Sequence, residues 1–178
     1  MKVNGWLVVL TVLSVVACGG DAPSQEAEPE TTTEPTFDEL VTTLDADCAA
    51  AEEAIQARQA ESSLYDRLDG HDGIHSVVTE IIGLHRQNET IVHVMEGIDD
   101  THLIDQVTDF LAQATGGDVT YEGRDMVEAH AHLELTNEHF LAAGGDVQTA
   151  MQTAGIDEDE IQEIMCLFAS LRSEVVQL

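Results

Sequence analysis

Eight histidines and three cysteines carry most of the reactive chemistry in this 178-residue sequence. The histidines are His71, His75, His85, His93, His102, His130, His132 and His139. Imidazole titrates near neutrality, and its unprotonated nitrogen binds transition metals, so each can serve as acid, base or ligand. His130 and His132 stand two apart. On a helix that turns them about 200° from one another, so they cannot share an ion. His71 and His75 are four apart and share a face. They could chelate zinc or nickel, although two exposed imidazoles are the plainer reading. No HExxH, CxxC or glycine-rich phosphate loop is present. No Ser/His/Asp or Cys/His set can be assembled from spacing alone.

The cysteines divide by context. Cys18 ends the stretch Val15-Val16-Ala17-Cys18-Gly19, which follows one lysine and the apolar run Trp6 to Val16. That run is short for a membrane span and has the parts of a secretory signal. The ending resembles the lipobox of bacterial lipoproteins, which implies a lipidated Cys18 as the mature N-terminus. Exported, the chain meets an oxidising compartment, where thiols pair. Cys48 lies in the helical stripe Val41, Leu44, Cys48, Ala51, Ile55, and Cys166 beside the apolar stripe of a late helix. A Cys48–Cys166 disulfide is therefore expected, with two buried thiols as the alternative.

The elements that must position these groups are helices. All three prolines (Pro23, Pro29, Pro35) lie in the first fifth, and residues 36–178 contain none. A proline-free run rich in Ala, Leu, Glu and Gln reads as all-α. Residues 1–17 are assigned to the signal peptide and 18–35 to an acidic disordered tether with nothing to bury. Residues 36–61 form a helical extension, with Thr36 and Glu39 at capping-box spacing. Residues 62–178 form the main domain. Helical periodicity marks Ile74, Val77, Val78, Ile81 and His85. It recurs at Leu103, Val107, Phe110, Leu111 and Ala114, ending at Gly116-Gly117. A loop over 118–125 and a brief helix through His130 follow. Thr136 starts a helix that stops at Gly155, and Asp157 with Glu160 caps a last helix running to Val175.

Thirty-five acidic side chains face six Lys and Arg, a formal charge of −29. Removing residues 1–17 takes away Lys2 and no acid, so the mature charge is −30. Nucleic acid and anionic lipid surfaces would repel such a chain, so neither is expected as a partner, and membrane attachment would be by the lipid anchor alone.

Several segments in order resemble one family. Ser63-Leu64-Tyr65-Asp66-Arg67-Leu68-Asp69-Gly70 is similar to the opening of truncated haemoglobins of the group I type. So is Thr108-Asp109-Phe110-Leu111-Ala112-Gln113-Ala114-Thr115-Gly116-Gly117. Tyr121-Glu122-Gly123-Arg124-Asp125-Met126 with Glu128-Ala129-His130 resembles the family's loop and proximal-histidine segment, and Gly155-Ile156 also fits. The resemblance implies a truncated globin, two helix pairs sandwiching a haem b (iron protoporphyrin IX), here with an extra N-terminal helix. It places His130 as the axial ligand of the iron and Met126 among the cofactor contacts. It also makes Arg124 the candidate partner of a haem propionate; Arg67, Arg86 and Arg172 are the other cations of this region. His132 and His139 are expected to face solvent.

The distal side departs from the family pattern. Ile82 stands where a tyrosine is usual, Val94-Met95 where a phenylalanine pair is usual, and Val107 where a glutamine is common, with Gln106 beside it. With Leu103 and Phe110, the implied pocket is apolar. A hydrogen bond to a strongly polar ligand is worth roughly 1.5–3 kcal/mol. Its loss would weaken O₂ retention by about 10- to 100-fold. The expected function is therefore reversible binding of O₂, NO or CO on the cell envelope (periplasmic or outer-membrane), with an unidentified electron donor. Three alternatives stay open: internal ligation by His93, His102 or Met95; a globin module without haem; and a haem enzyme acting on NO or peroxide.

Overall fold

A computed structural model describes residues 34–177. The expected signal peptide, the lipidated Cys18 and nearly all of the tether lie outside the described residues. Helix α1 spans Phe37–Glu61, α2 Leu64–Arg67 and α3 Gly70–His85. A 3₁₀ turn follows at Val92–Met95. Then come α4 (Asp100–Ala114), α5 (Met126–His130), α6 (Asn137–Thr153), α7 (Glu158–Ser170) and α8 (Arg172–Val175). Among the described residues there is no strand. Nor, among them, is any helix long and apolar enough to cross a membrane.

Local signals explain most boundaries. The Thr36 hydroxyl accepts the Glu39 amide at 3.3 Å while the Glu39 carboxylate accepts the Thr36 amide at 2.8 Å, a closed capping box. Asp99, Asp125 and Thr136 cap α4, α5 and α6 through their side chains. Asp157 is the N-cap residue of α7 but makes no side-chain cap bond, so its expected capping pair with Glu160 does not form. α4 ends where Gly116 adopts a φ of +99° and the Gly117 amide reaches back to the Ala112 carbonyl at 2.8 Å. A Cβ on Gly117 would lie 2.7 Å from the Tyr65 ring, so only glycine lets α2 approach this closely. The last helix breaks at Leu171 rather than running unbroken to Val175.

α3 packs on α4 and on α6, and α6 packs on α7. The buried core runs through Leu64, Ile74, Val78, Ile81, Met151, Ile161 and Ile164. Between the pairs α3/α4 and α6/α7 the side chains part and leave a cavity.

α1 lies outside these pairs, against α6 and α7. Four links fasten it along its length. Asn137 donates to Asp38 at 2.7 Å, and Arg172 pairs with Asp45 at 3.5 Å. Cys48 and Cys166 are joined as a disulfide with Cα atoms 5.4 Å apart. At the C-terminal end, Arg58 meets Asp159 at 3.1 Å and Glu163 at 2.7 Å. Glu163 is the centre of that last link. Its side chain is 1 % exposed and also accepts from Arg67 at 2.7 Å and Gln59 at 3.1 Å. Arg67 pairs in addition with Glu160. Burial pushes the Glu163 carboxyl up. Hydrogen bonds from Arg58, Arg67 and Gln59, with the charge of Arg67, more than offset this and hold it below the ordinary carboxylate value.

Two measurements test these links. The disulfide closes a span of 118 residues. Loops of that order restrict the unfolded chain by about 4–5 kcal/mol. Urea unfolding with reductant should show a loss of that order, and a thiol assay under denaturing, non-reducing conditions should find Cys48 and Cys166 both blocked. Glu163→Ala should cost about 3 kcal/mol, because it removes the buried acceptor shared by two part-buried guanidinium groups, each left with one acid at the rim. A depressed carboxyl stabilises the fold above its unfolded value, near 4.3, and that contribution disappears as pH falls through the lower folded value. The stability difference between Glu163→Ala and the parent chain should therefore be full at pH 6 and narrow below about pH 4.

Candidate functional site

The cavity measures about 820 Å³, within the range that takes a cofactor. α3 contributes Ile81, Ile82 and His85; the 3₁₀ turn Val94 and Met95; α4 Leu103, Gln106, Val107, Phe110 and Leu111. The opposite wall comes from Met126, His130, Phe140, Ala143, Val147, Ile164, Leu167 and Phe168. Every residue expected at the site therefore lines one space: His130, Ile82, Met95, Leu103, Val107, Phe110, Met126 and Arg124.

Each wall is held in place by polar contacts outside the cavity. Arg86 donates to the Met95 carbonyl at 2.6 Å and the Ile98 carbonyl at 2.9 Å, and pairs with Asp100. The hydrogen bonds that Arg86 donates to the Asp100 carboxylate, against a smaller burial effect, raise its guanidinium above the ordinary value. This clamp sets the turn that presents Met95. Tyr121 packs edge-on against Phe110, with centroids 5.5 Å apart, and donates its hydroxyl to the Arg124 carbonyl at 2.9 Å. The Tyr121 amide donates to Gln113 at 2.8 Å. A Cβ on Gly123 would fall 2.3 Å from the Tyr121 ring and 2.5 Å from the Gln106 side-chain oxygen. The loop between α4 and α5 thus folds tightly over the mouth of the cavity.

His130 ends the short helix α5 and is half-buried. Its Nδ1 lies 2.8 Å from the Met126 carbonyl. A carbonyl can only accept, so Nδ1 carries the proton and Nε2 keeps its lone pair. This is the arrangement of an imidazole ready to ligate a metal through Nε2. Arg67, Arg86 and Arg172 are engaged with acids, which removes them as anion partners for the cavity. Among the described residues, Arg124 is the one arginine that forms no ion pair, and it stands exposed at the mouth. The volume, the apolar walls, the Nε2 lone pair and the cation at the rim fit haem: a planar apolar ring with an iron at its centre and two carboxylates at one edge.

Two histidines depart from expectation. His139 is half-buried rather than fully turned to solvent. It lines the cavity, stacks edge-on with His93 at 5.3 Å, and accepts the Thr136 amide on Nδ1 at 3.2 Å. Its position at the third residue of a capped helix is the local signal for this. His85 also lines the cavity, with Nδ1 2.8 Å from Asp146. The walls are therefore apolar around Ile82 and Val107 but not throughout, and nothing in spacing links His85 to Asp146, 61 positions away. His132 is exposed, as expected. His71 meets Asp109 at 3.0 Å and His75 approaches Asp105 at 3.9 Å, each across to α4. Among the described residues no group of three or more His, Cys, Asp or Glu side chains could hold a metal ion, and His71 and His75 each turn to a different carboxylate of α4.

Comparison with known proteins agrees with this geometry. Residues 63–177 match the family model of the bacterial-like globins. The group 1 truncated hemoglobin of Mycolicibacterium paratuberculosis is 29% identical over 119 residues, covering 66% of this chain and 88% of the relative. That of Synechocystis is 32% identical over 107 residues, covering 58% and 86%. The crystal structure of truncated hemoglobin from Tetrahymena pyriformis in the Fe(III) form superposes with a TM-score of 0.63 at 26% identity, over 66% of this chain and all of that one. The 2/2 hemoglobin of Synechococcus, solved in the cyanomet state with covalently attached heme, gives 0.61 at 25%, over 65% and 98%. With its paired helices, its cavity and its histidine on a short helix, the chain belongs to the bacterial-like globins and, among them, to the group 1 truncated haemoglobins.

Proposed function

We propose that the chain binds haem b in the 820 Å³ cavity, with His130 as the axial ligand, and takes up a diatomic gas (O₂, NO or CO) beside it. The observation that carries this is the 2.8 Å bond from His130 Nδ1 to the Met126 carbonyl, which leaves Nε2 with its lone pair at the wall of the cavity. Relatives named as truncated hemoglobins, one solved with heme attached, support the choice of cofactor. When bound, haem supplies an iron that can ligate a diatomic gas.

The remaining work falls to the chain. His130 would hold the iron, and its bond to the Met126 carbonyl orients the imidazole ring. Met126 and Phe140 flank the cavity on the same wall as His130. Arg124 offers its charge to a propionate at the rim. Ile82, Leu103, Val107 and Phe110 exclude water on the gas-binding side and offer no hydrogen-bond donor. NO and CO need none. A pocket without a donor there would give no hydrogen bond to O₂.

The same reading places the protein on the cell envelope, exported and anchored through lipid on Cys18. The Val15-Val16-Ala17-Cys18-Gly19 segment supports it, and the Cys48–Cys166 disulfide is at home in an oxidising compartment.

Two experiments test these assignments. The purified chain reconstituted with haemin should show a Soret band that shifts with CO after reduction, and His130→Ala should abolish the five-coordinate spectrum and lower haem affinity at least tenfold. A Soret band untouched by His130→Ala would remove this assignment. For the anchor, Cys18→Ala should move the protein from the membrane to the soluble fraction of an expressing bacterium; continued sedimentation with membranes would refute lipidation.

A further inference from the structure

His85 sits one turn beyond Ile82 on α3, and both line the cavity, so the two share a face of that helix. Its side chain is 15 % exposed and that of its partner Asp146 16 %. Asp146 is itself held: Asn88 donates to both of its carboxylate oxygens at 3.1 Å. Asn88 is fixed in turn by the Thr90 amide, which donates to its side-chain oxygen at 3.1 Å. The chain Asn88–Asp146–His85 thus orients one imidazole at the edge of an otherwise apolar space.

Proton positions give that imidazole a specific capacity. A carboxylate only accepts, so His85 donates Nδ1–H to Asp146 and keeps a lone pair on Nε2. Among the half-buried histidines of the cavity, His130 has the same tautomer but is assigned to iron. His139 accepts a backbone N–H on Nδ1, which places its ring proton on Nε2. Of the half-buried cavity imidazoles, His85 is therefore the one that can accept a proton on Nε2 without being assigned to iron; His102 also lines the cavity but is exposed.

We propose that His85, positioned by Asp146 and Asn88, makes the cavity a site for small protic weak acids, HX, of which hydrogen sulfide is representative. This rests on the haem reading above. An apolar cavity disfavours a bare anion, so the ligand enters as neutral HX. Its proton passes to Nε2 of His85, the H–X bond breaks, and X⁻ keeps the electron pair. The imidazolium that forms is paired with the Asp146 carboxylate, so the anion gains a fixed counter-charge inside the protein. No electron is transferred, and release runs the same proton back to X⁻.

The probe is azide, titrated against the ferric haem-reconstituted full chain, with CO binding to the ferrous form as the aprotic reference. His85→Leu should reduce the ratio of azide to CO affinity at least tenfold. Asp146→Asn still accepts from Nδ1 but lacks the charge, and should reduce it by less, in the same direction. Far-ultraviolet circular dichroism of both variants shows whether the helices persist; because Asp146→Asn preserves shape, it keeps the test valid if His85→Leu unfolds. An unchanged ratio in folded His85→Leu, or a loss carried by His139→Leu instead, overturns the role of His85 and leaves the haem reading standing. A chain that takes up no haem, and so shows no Soret band, overturns both.

Discussion

Protein interiors pack as densely as organic crystals, so a space of about 820 Å³ inside a small helical domain has to be held open. That constraint organises the molecule. Side chains from α3, α4, α6 and α7 meet behind the cavity as an ordinary core at Val78, Met151 and Ile161. In front of it they stop short of one another. The walls are held by polar work done outside the space. Arg86 fastens the turn that carries Met95, Tyr121 and Gly123 fasten the loop over the mouth, and Met126 fastens His130. A flat apolar ring restores the contacts that the walls lack, which is the physical meaning of a globin slot.

The N-terminal extension answers a different need. α1 buries little beyond Val41 and Ala51, too narrow a stripe to hold a 25-residue helix by apolar contact alone. Covalent and ionic links replace the missing area: the Cys48–Cys166 bond near the middle and the Arg58–Glu163–Arg67 knot at the end. α7, to which it is fastened, also presents Ile164, Leu167 and Phe168 to the cavity. The strap therefore backs a cavity wall, and the family match begins only at residue 63, beyond it.

Three of the four cavity histidines show how one side-chain type is given different chemistry by what meets Nδ1. A carbonyl at His130 and a carboxylate at His85 both draw the proton to Nδ1 and leave Nε2 basic; a backbone amide at His139 does the reverse. Identical residues thus differ in which ring nitrogen carries the proton and which keeps a lone pair. The partner atom is local in two cases, four residues away for His130 and three for His139, and remote in the third.

Sequence alone determined the helical class, the start of α1 at Thr36, the stop at Gly116-Gly117, the break at Gly155 and the segment around His130. Each depends on residues within a turn or two of one another, where capping geometry and helical periodicity act directly. The pairing of Cys48 with Cys166 was also legible, because residues 36–178 hold two cysteines and each falls on a helical apolar stripe or beside one. Tertiary structure alone decided which arginines were spent on acids, why His139 turns inward beside His93, and that His85 has a carboxylate behind it. Those facts join residues tens of positions apart whose approach is set by helix packing, and no local pattern of charge or hydropathy records the distance between two helices.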